Sequence, residues 1–188
     1  MEKRYYDAQA IINESLPFLT FIIIFSMVTG NFLEGFAENI IEKYSIILLI
    51  LPAFINMSGS LASVFTSRIT SSLYVGEIDD DFKPYKVLFL NMISMVLVAF
   101  TGFLFLAFIG IAVASIFFEI NVTFSNFILI VAFSGIVTTI LMMFIGLFAA
   151  KMTYSRGLDP DNFTIPTVTT IGDLIGTLLL IILIITYI

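Results

Sequence analysis

Apolar positions run along most of the chain in five long blocks, broken by short polar stretches. A bilayer core about 30 Å thick needs roughly 20 apolar residues of helix. The blocks that meet this are about Leu16–Leu33, Tyr44–Tyr74, Val87–Phe117, Phe127–Ala150 and Pro166–Ile188. The second is aliphatic at first and then rich in small polar residues. The third exceeds one perpendicular crossing, which predicts a tilted or partly interfacial helix. Gly157-Leu-Asp-Pro160 stops the fourth block, and Pro166 suits the first turn of the fifth. The connections are short. The pattern therefore predicts an all-α membrane protein with five transmembrane helices, residues 1–188 forming one integral membrane domain.

Orientation follows from the basic residues, which collect on the cytoplasmic side of membrane proteins. With the N-terminus inside and five crossings, seven of the eight basic residues fall at or near the inner face: Lys3, Arg4, Arg68, Lys83, Lys86, Lys151 and Arg156. Only Lys43 falls outside. An even number of spans places one of the basic loops on the wrong side, so the expected topology is N-terminus cytoplasmic, C-terminus outside. The polar start, Met1 to Ala10, precedes no small-residue cleavage site, and the first block reads as a retained span.

Composition sharpens this. Of 188 residues, 60% are hydrophobic and 12% charged, with a mean hydropathy of +1.11; soluble domains carry about a quarter charged residues. His, Cys and Trp are absent. That removes imidazole and thiolate metal sites, thiol nucleophiles and serine–histidine triads. The ligands left are carboxylates, amides, hydroxyls and carbonyls, which suit hard cations. The net charge of −6 argues against a nucleic-acid partner. Intramembrane enzyme chemistry is not expected, because Asp173 has no second intramembrane carboxylate in its own chain.

Asp173 is the most informative residue. It lies seven positions after Pro166, about 10 Å into the fifth span at 1.5 Å per residue. A carboxylate at such depth costs on the order of 2.5–3.5 kcal/mol, so it faces a bundle interior or water. Thr169, Gly176 and Thr177 share its helical face, and Gly172 and Gly176 form a Gly-xxx-Gly pair that permits close helix approach. A purely structural Asp173, bonded to neighbouring hydroxyls or paired with Arg68, is the alternative. In the second span Asn56, Ser60, Ser63, Ser67 and Thr70 recur every three or four residues and line one face. Pro52 and Gly59 offer a kink or an unwound turn with exposed carbonyls. Small polar residues also simply pack membrane helices; together with Asp173, the stripe suggests a path for a hydrated cation.

Three acidic residues, Glu34, Glu38 and Glu42, recur every four positions at the outer end of the first span. They could concentrate cations at an outer entrance, or simply solvate a helix end. Asp79, Asp80, Asp81, Asp159 and Asp161 read first as turn and cap chemistry, with a weak cytosolic Mg2+ sensor as the alternative.

Leu16-Pro-Phe-Leu with Gly30-Asn-Phe-Leu-Glu34 resembles the first membrane helix of MgtE-type magnesium channels and their eukaryotic solute-carrier relatives. Leu51-Pro-Ala, Gly59-Ser-Leu and Thr66-Ser-Arg-Ile-Thr70 resemble that family's second helix, nearer the solute-carrier branch. Gly157-Leu-Asp-Pro160, Pro166-Thr-Val-Thr-Thr170, Asp173 and Gly176 resemble its closing segment. The resemblance implies a five-helix unit that pairs around a central cation pore, as a homodimer or as two fused halves, in membrane lipid. It implies Mg2+, or another divalent cation, as the transported ion and places Asp173 at the ion site. Asn56, Gly59, Ser60, Thr169 and Thr170 match its pore-lining positions, with Gly59-Ser60 standing where the family has Gly-Asn. A two-fold axis beside the fifth helix would bring two Asp173 carboxylates together, enough charge for one hydrated divalent ion. Coupled exchange against protons or Na+, and a non-transporting half-unit that needs a partner chain, are the competing readings.

Overall fold

In hydrocarbon every backbone N–H and C=O must be satisfied within the protein, which leaves an apolar chain little choice but helix. The computed structural model describes residues 8–43, 45–117 and 123–187, all but the turns of which are helical. Five helices follow in order: α1 (Ala8–Lys43), α2 (Ser45–Val75), α3 (Tyr85–Phe117), α4 (Phe124–Arg156) and α5 (Thr164–Tyr187). Each contains a segment long and apolar enough to cross a membrane, in α1 the stretch Ser15–Phe36. Tyr44 and Ile188, at the edges of expected spans, lie outside the described residues.

The ends of the helices are written in local chemistry. Gly157 closes α4 in the left-handed conformation at φ 61°, which costs glycine nothing. Its N–H donates to the Tyr154 carbonyl at 3.2 Å and the Leu158 N–H to the Thr153 carbonyl at 3.1 Å, the paired bonds of a Schellman cap. The Asp159 carboxylate accepts the Asp161 N–H at 2.9 Å. In the α2–α3 loop the Asp79 carboxylate accepts the N–H groups of Asp81 and Lys83 at 3.0 and 2.8 Å. Asp79 and Asp159 are thus committed to turns. The Tyr74 hydroxyl donates to the Leu158 carbonyl at 3.1 Å, and the Lys151 ammonium lies 5.9 Å from the centre of the Phe82 ring. These contacts tie the end of α2 to the α4–α5 loop and the α2–α3 loop to α4, at one end of the bundle.

Lipid tails are as apolar as leucine, so tight packing rather than escape from water holds membrane helices together. α5 lies between α2 and α4, α3 packs on α2 and α4, and α1 lies against α5 and α2. Small residues let these axes close up. A Cβ on Gly172 would stand 3.6 Å from the Gly59 Cα, and one on Gly176 would stand 3.1 Å from Ser58 Oγ and 3.4 Å from Phe54 Cε1. The Gly-xxx-Gly pair of α5 therefore faces α2. Gly146 of α4 is pressed by the Thr66 side chain and Gly135 by the Phe103 ring. Phe54, Phe65, Phe103 and Phe127 are fully buried, with the Phe54 and Phe103 rings 4.8 Å apart. Outside this core, Phe21, Ile23 and Met27 of α1 and Phe89, Leu97 and Phe105 of α3 point outward, as lipid-facing side chains do.

Candidate cation site

Where α5 crosses α2, side chains cannot fill the space on the outer side of the glycine contact. A cavity of about 390 Å³ remains, lined by Pro52, Ile55, Asn56, Gly59, Ser60, Thr169 and Asp173. Asp173 sits nine residues from the start of α5 and Gly59 is mid-way along the 31-residue α2, so the cavity lies well within the span. Asn56, Ser60 and Pro52 are exposed, so the cavity opens on the surface of the single chain.

Gly59 makes this geometry possible. A Cβ there would lie 2.7 Å from Asp173 Oδ1, closer than real Cβ atoms come to their neighbours. The sequence allows a kinked or unwound turn at Pro52 and Gly59, but α2 stays helical through both. The bare Gly59 Cα serves instead as the floor against which the carboxylate rests. Pro52 lacks an N–H, so the Leu48 carbonyl has no helical donor.

Among the described residues, no cation and no hydrogen-bond donor reaches the Asp173 carboxylate. Arg68, the basic partner weighed from sequence beside neighbouring hydroxyls, is nine residues beyond Gly59 on α2, about 13 Å along the axis. Its Nε donates to Asn91 Oδ1 at 2.8 Å.

Most of the cavity wall is apolar, and its few polar groups can accept hydrogen bonds. The Thr169 hydroxyl donates to the Ile165 and Pro166 carbonyls at 2.9 and 3.0 Å, which commits its hydrogen and leaves oxygen lone pairs for the cavity. Asp173 brings a carboxylate and Asn56 an amide oxygen. Metal-bound waters are donors, so these few acceptors suit a cation that keeps its hydration shell, as Mg2+ tends to. Six waters at about 30 Å³ each occupy roughly 180 Å³, well inside the cavity. No group of three or more acidic residues able to hold a bare metal ion occurs among the described residues.

Not every residue singled out from sequence lies here. Ser63 and Ser67 continue the α2 stripe beyond the cavity, half-buried, with the Ser63 hydroxyl donating to the Gly59 carbonyl at 2.9 Å. Thr170 turns aside, its hydroxyl on the Pro166 carbonyl at 2.8 Å. Thr70 is buried and bonded to the Thr66 carbonyl. Glu34 is exposed on α1, remote in sequence from the cavity lining, while the side chains of Glu38 and Glu42 lie outside the described residues. Thr177, one turn beyond Asp173, is fully buried with its hydroxyl unpartnered among the described residues. Ile55 lines the cavity without any sequence signal, because an isoleucine among isoleucines announces nothing.

Comparison with known proteins names this architecture. Residues 51–183, from the start of the cavity wall on α2 almost to the end of α5, match the MgtE family model, described as divalent cation transporter. The chain belongs to this family. Its members are transporters rather than enzymes, and the five apolar helices make this one a multi-pass membrane protein. Similar curated relatives are solute carrier family 41 member 3 of mouse, 28% identical over 186 residues, and of rat, 27% identical over 186 residues. Each alignment covers 90% of this chain, but 38% of the mouse protein and 40% of the rat protein. The chain thus spans about two fifths of the length of the curated relatives it matches.

Proposed function

We propose that this protein moves divalent cations, Mg2+ foremost, across the cell membrane through a pore formed where two copies bring their α2–α5 cavities together. The observation that carries the proposal is the Asp173 carboxylate at membrane depth, without a counter-charge among the described residues, in a cavity that also holds Asn56, Ser60 and Thr169 and opens on the bundle surface. In a single chain that opening would face lipid, where a carboxylate is costly. A second copy across a two-fold axis covers the opening and sets two carboxylates around one water-filled space. One hydrated divalent ion then neutralises both.

In this reading Asp173 attracts and holds the ion through its water shell, while Thr169, Asn56 and Ser60 accept hydrogen bonds from those waters. Thr170, Ser63 and Ser67, outside the cavity of the isolated chain, line the approach on either side of it in the assembled pore. Residues 1–188 act as one membrane unit with the N-terminus in the cytoplasm and the C-terminus outside. The loop end bearing Lys83, Lys86, Lys151 and Arg156 is then the inner end, and Glu34 and Glu38 stand by the outer entrance.

The test is Mg2+ entry into proteoliposomes, read by an enclosed indicator dye, for the parent and Asp173→Asn. The substitution keeps size and acceptor oxygen but removes the charge. Flux in the parent and none above the lipid leak in D173N, with unchanged assembly on size exclusion, is the expected result. Equal rates for the two proteins would refute the assignment of Asp173. Flux that follows an imposed Na+ or proton gradient would assign coupled exchange instead of a channel.

A further inference from the structure

Among the described residues Arg68 lies farther from the end of its helix than any other basic residue, and the transport reading gives it no part. It lies seven residues before the end of α2, about 10 Å from that end at 1.5 Å per residue. A 31-residue helix is roughly 46 Å long, so about 8 Å projects beyond each face of a 30 Å hydrocarbon core when the helix is centred. Arg68 therefore roots just inside the hydrocarbon edge. Its side chain is exposed, and Val64 one turn deeper on the same side is 50% exposed.

The guanidinium is held in place. Asn91 of α3 accepts the Nε–H at 2.8 Å, and the Asn91 amide donates to the Val87 carbonyl at 2.9 Å, which fixes the Asn91 rotamer from behind. One of five guanidinium N–H donors is thereby used, and the four terminal ones have no partner among the described residues. Three of the acids in the loop that follows α2 have partners of their own. Glu77 accepts the Ser72 hydroxyl at 2.8 Å, Asp79 accepts loop N–H groups, and Asp81 pairs with Lys83 at 3.6 Å. A charge rooted in hydrocarbon, oriented by a neighbouring helix and left with a free planar fork, calls for an oxyanion at the level of the lipid headgroups.

We infer that Arg68, oriented by Asn91 across the α2–α3 contact, binds the phosphate of an anionic phospholipid at the end of the bundle where the α2–α3 loop lies. The fork takes two phosphate oxygens, and the acyl chains run down past Val64 along the apolar flank of the two helices. This site is distinct from the cavity at Asp173, which faces another side of α2.

The experiment measures lipid retained by the full chain purified in detergent, by native mass spectrometry, after equilibration with phosphatidylglycerol or phosphatidylcholine. The parent is expected to retain about one phosphatidylglycerol per chain more tightly than phosphatidylcholine. Arg68→Gln should abolish that preference, and Asn91→Ala should weaken retention several-fold while keeping the charge. Lys86→Gln, which removes an exposed charge that makes no contact with Arg68 or Asn91 among the described residues, should leave it unchanged. If R68Q cannot be recovered folded, Arg68→Lys replaces it, because an ammonium keeps the charge but loses the fork and the Asn91 bond; a several-fold loss is again expected. Undiminished preference in R68Q, or in both R68K and N91A, overturns the inference. Displacement of the lipid by equimolar inorganic phosphate would assign a free-anion site instead and overturn the lipid source. A switch from dimer to monomer in R68Q with lipid retention intact would assign Arg68 to a protein contact and overturn it as well.

Discussion

Adding a single methyl group at Gly59 tests the geometry of the cavity directly. In Gly59→Ala the new Cβ would stand 2.7 Å from Asp173 Oδ1, 3.7 Å from its Cγ and 3.6 Å from the Thr169 carbonyl oxygen. Only the first contact is impossible, and it involves the tip of a short side chain. If the carboxylate swings aside, an off-rotamer χ of some 30° costs about 0.5–1.5 kcal/mol. If the helices part instead, overpacking costs about 1–3 kcal/mol. Alanine's better helix propensity returns about 0.5–1 kcal/mol. Net destabilisation should thus stay below about 2.5 kcal/mol, and the protein should assemble. Transport should suffer more visibly. If the carboxylate's strain appears in ion binding, 0.5–1.5 kcal/mol at about 1.4 kcal/mol per tenfold is a roughly two- to twelve-fold loss. Mg2+ uptake into proteoliposomes measures the loss, and thermal unfolding in detergent measures stability. A double-mutant cycle with Asp173→Ala isolates the contact. With the carboxylate gone the methyl meets only ordinary neighbours, so G59A should become neutral or stabilising, with a coupling of about 0.5–1.5 kcal/mol. Gly30→Ala, where a Cβ meets nothing within 4 Å, is the control. Equal destabilisation by G59A in both backgrounds, or parental flux in G59A, would show that Gly59 and Asp173 do not meet as described.

Other positions test the packing and the loop ties. Gly146→Ala drives a methyl into the Thr66 side chain on the buried α2–α4 face and should destabilise by about 1–3 kcal/mol, with much of the loss recovered in G146A/T66A; thermal unfolding of the pair shows whether the two sites couple. Phe103→Ala empties the space between Phe54 and Gly135. Because the side chain leaves a packed interior for an apolar solvent, its cost should fall in the lower part of the core range, about 2–3 kcal/mol by denaturant titration in detergent. Tyr74→Phe removes one exposed hydrogen bond to the Leu158 carbonyl and should shift stability by less than about 1 kcal/mol, while limited proteolysis in the α4–α5 loop should speed up as the tie loosens.

Family membership does not rest on the cavity alone, since the match covers 51–183 and so includes the core contacts of α3 and α4. The family match and the cavity concern the same residues. The first says that chains of this kind move divalent cations. The second is a cavity of about 390 Å³ that holds an intramembrane carboxylate.

Much of the architecture could be read from the chain because a bilayer imposes it. A hydrocarbon slab of set thickness demands apolar runs of set length, and an unsatisfied backbone there is so costly that such runs must be helical. That is why five helices were legible, and why Gly157 and Pro166 marked their junction. A carboxylate in an apolar run was equally legible, since so costly a residue stands out wherever it points. What α5 does to α2 was not. The stripe Asn56, Ser60, Ser63 and Ser67 has one helical period and one face, yet the cavity takes only its first two members. The lining of α2 runs from Pro52 to Ser60, about 12 Å, because Thr169 and Asp173 supply just one turn of facing polar surface. Gly59 has two possible uses in a sequence, a loosened backbone or a close approach, and periodicity does not choose between them. The neighbouring helix decides, by placing Asp173 Oδ1 where a Cβ would otherwise be. Sequence spacing reports what one helix presents along its own axis; which of those groups meet depends on where two axes cross and how soon they diverge.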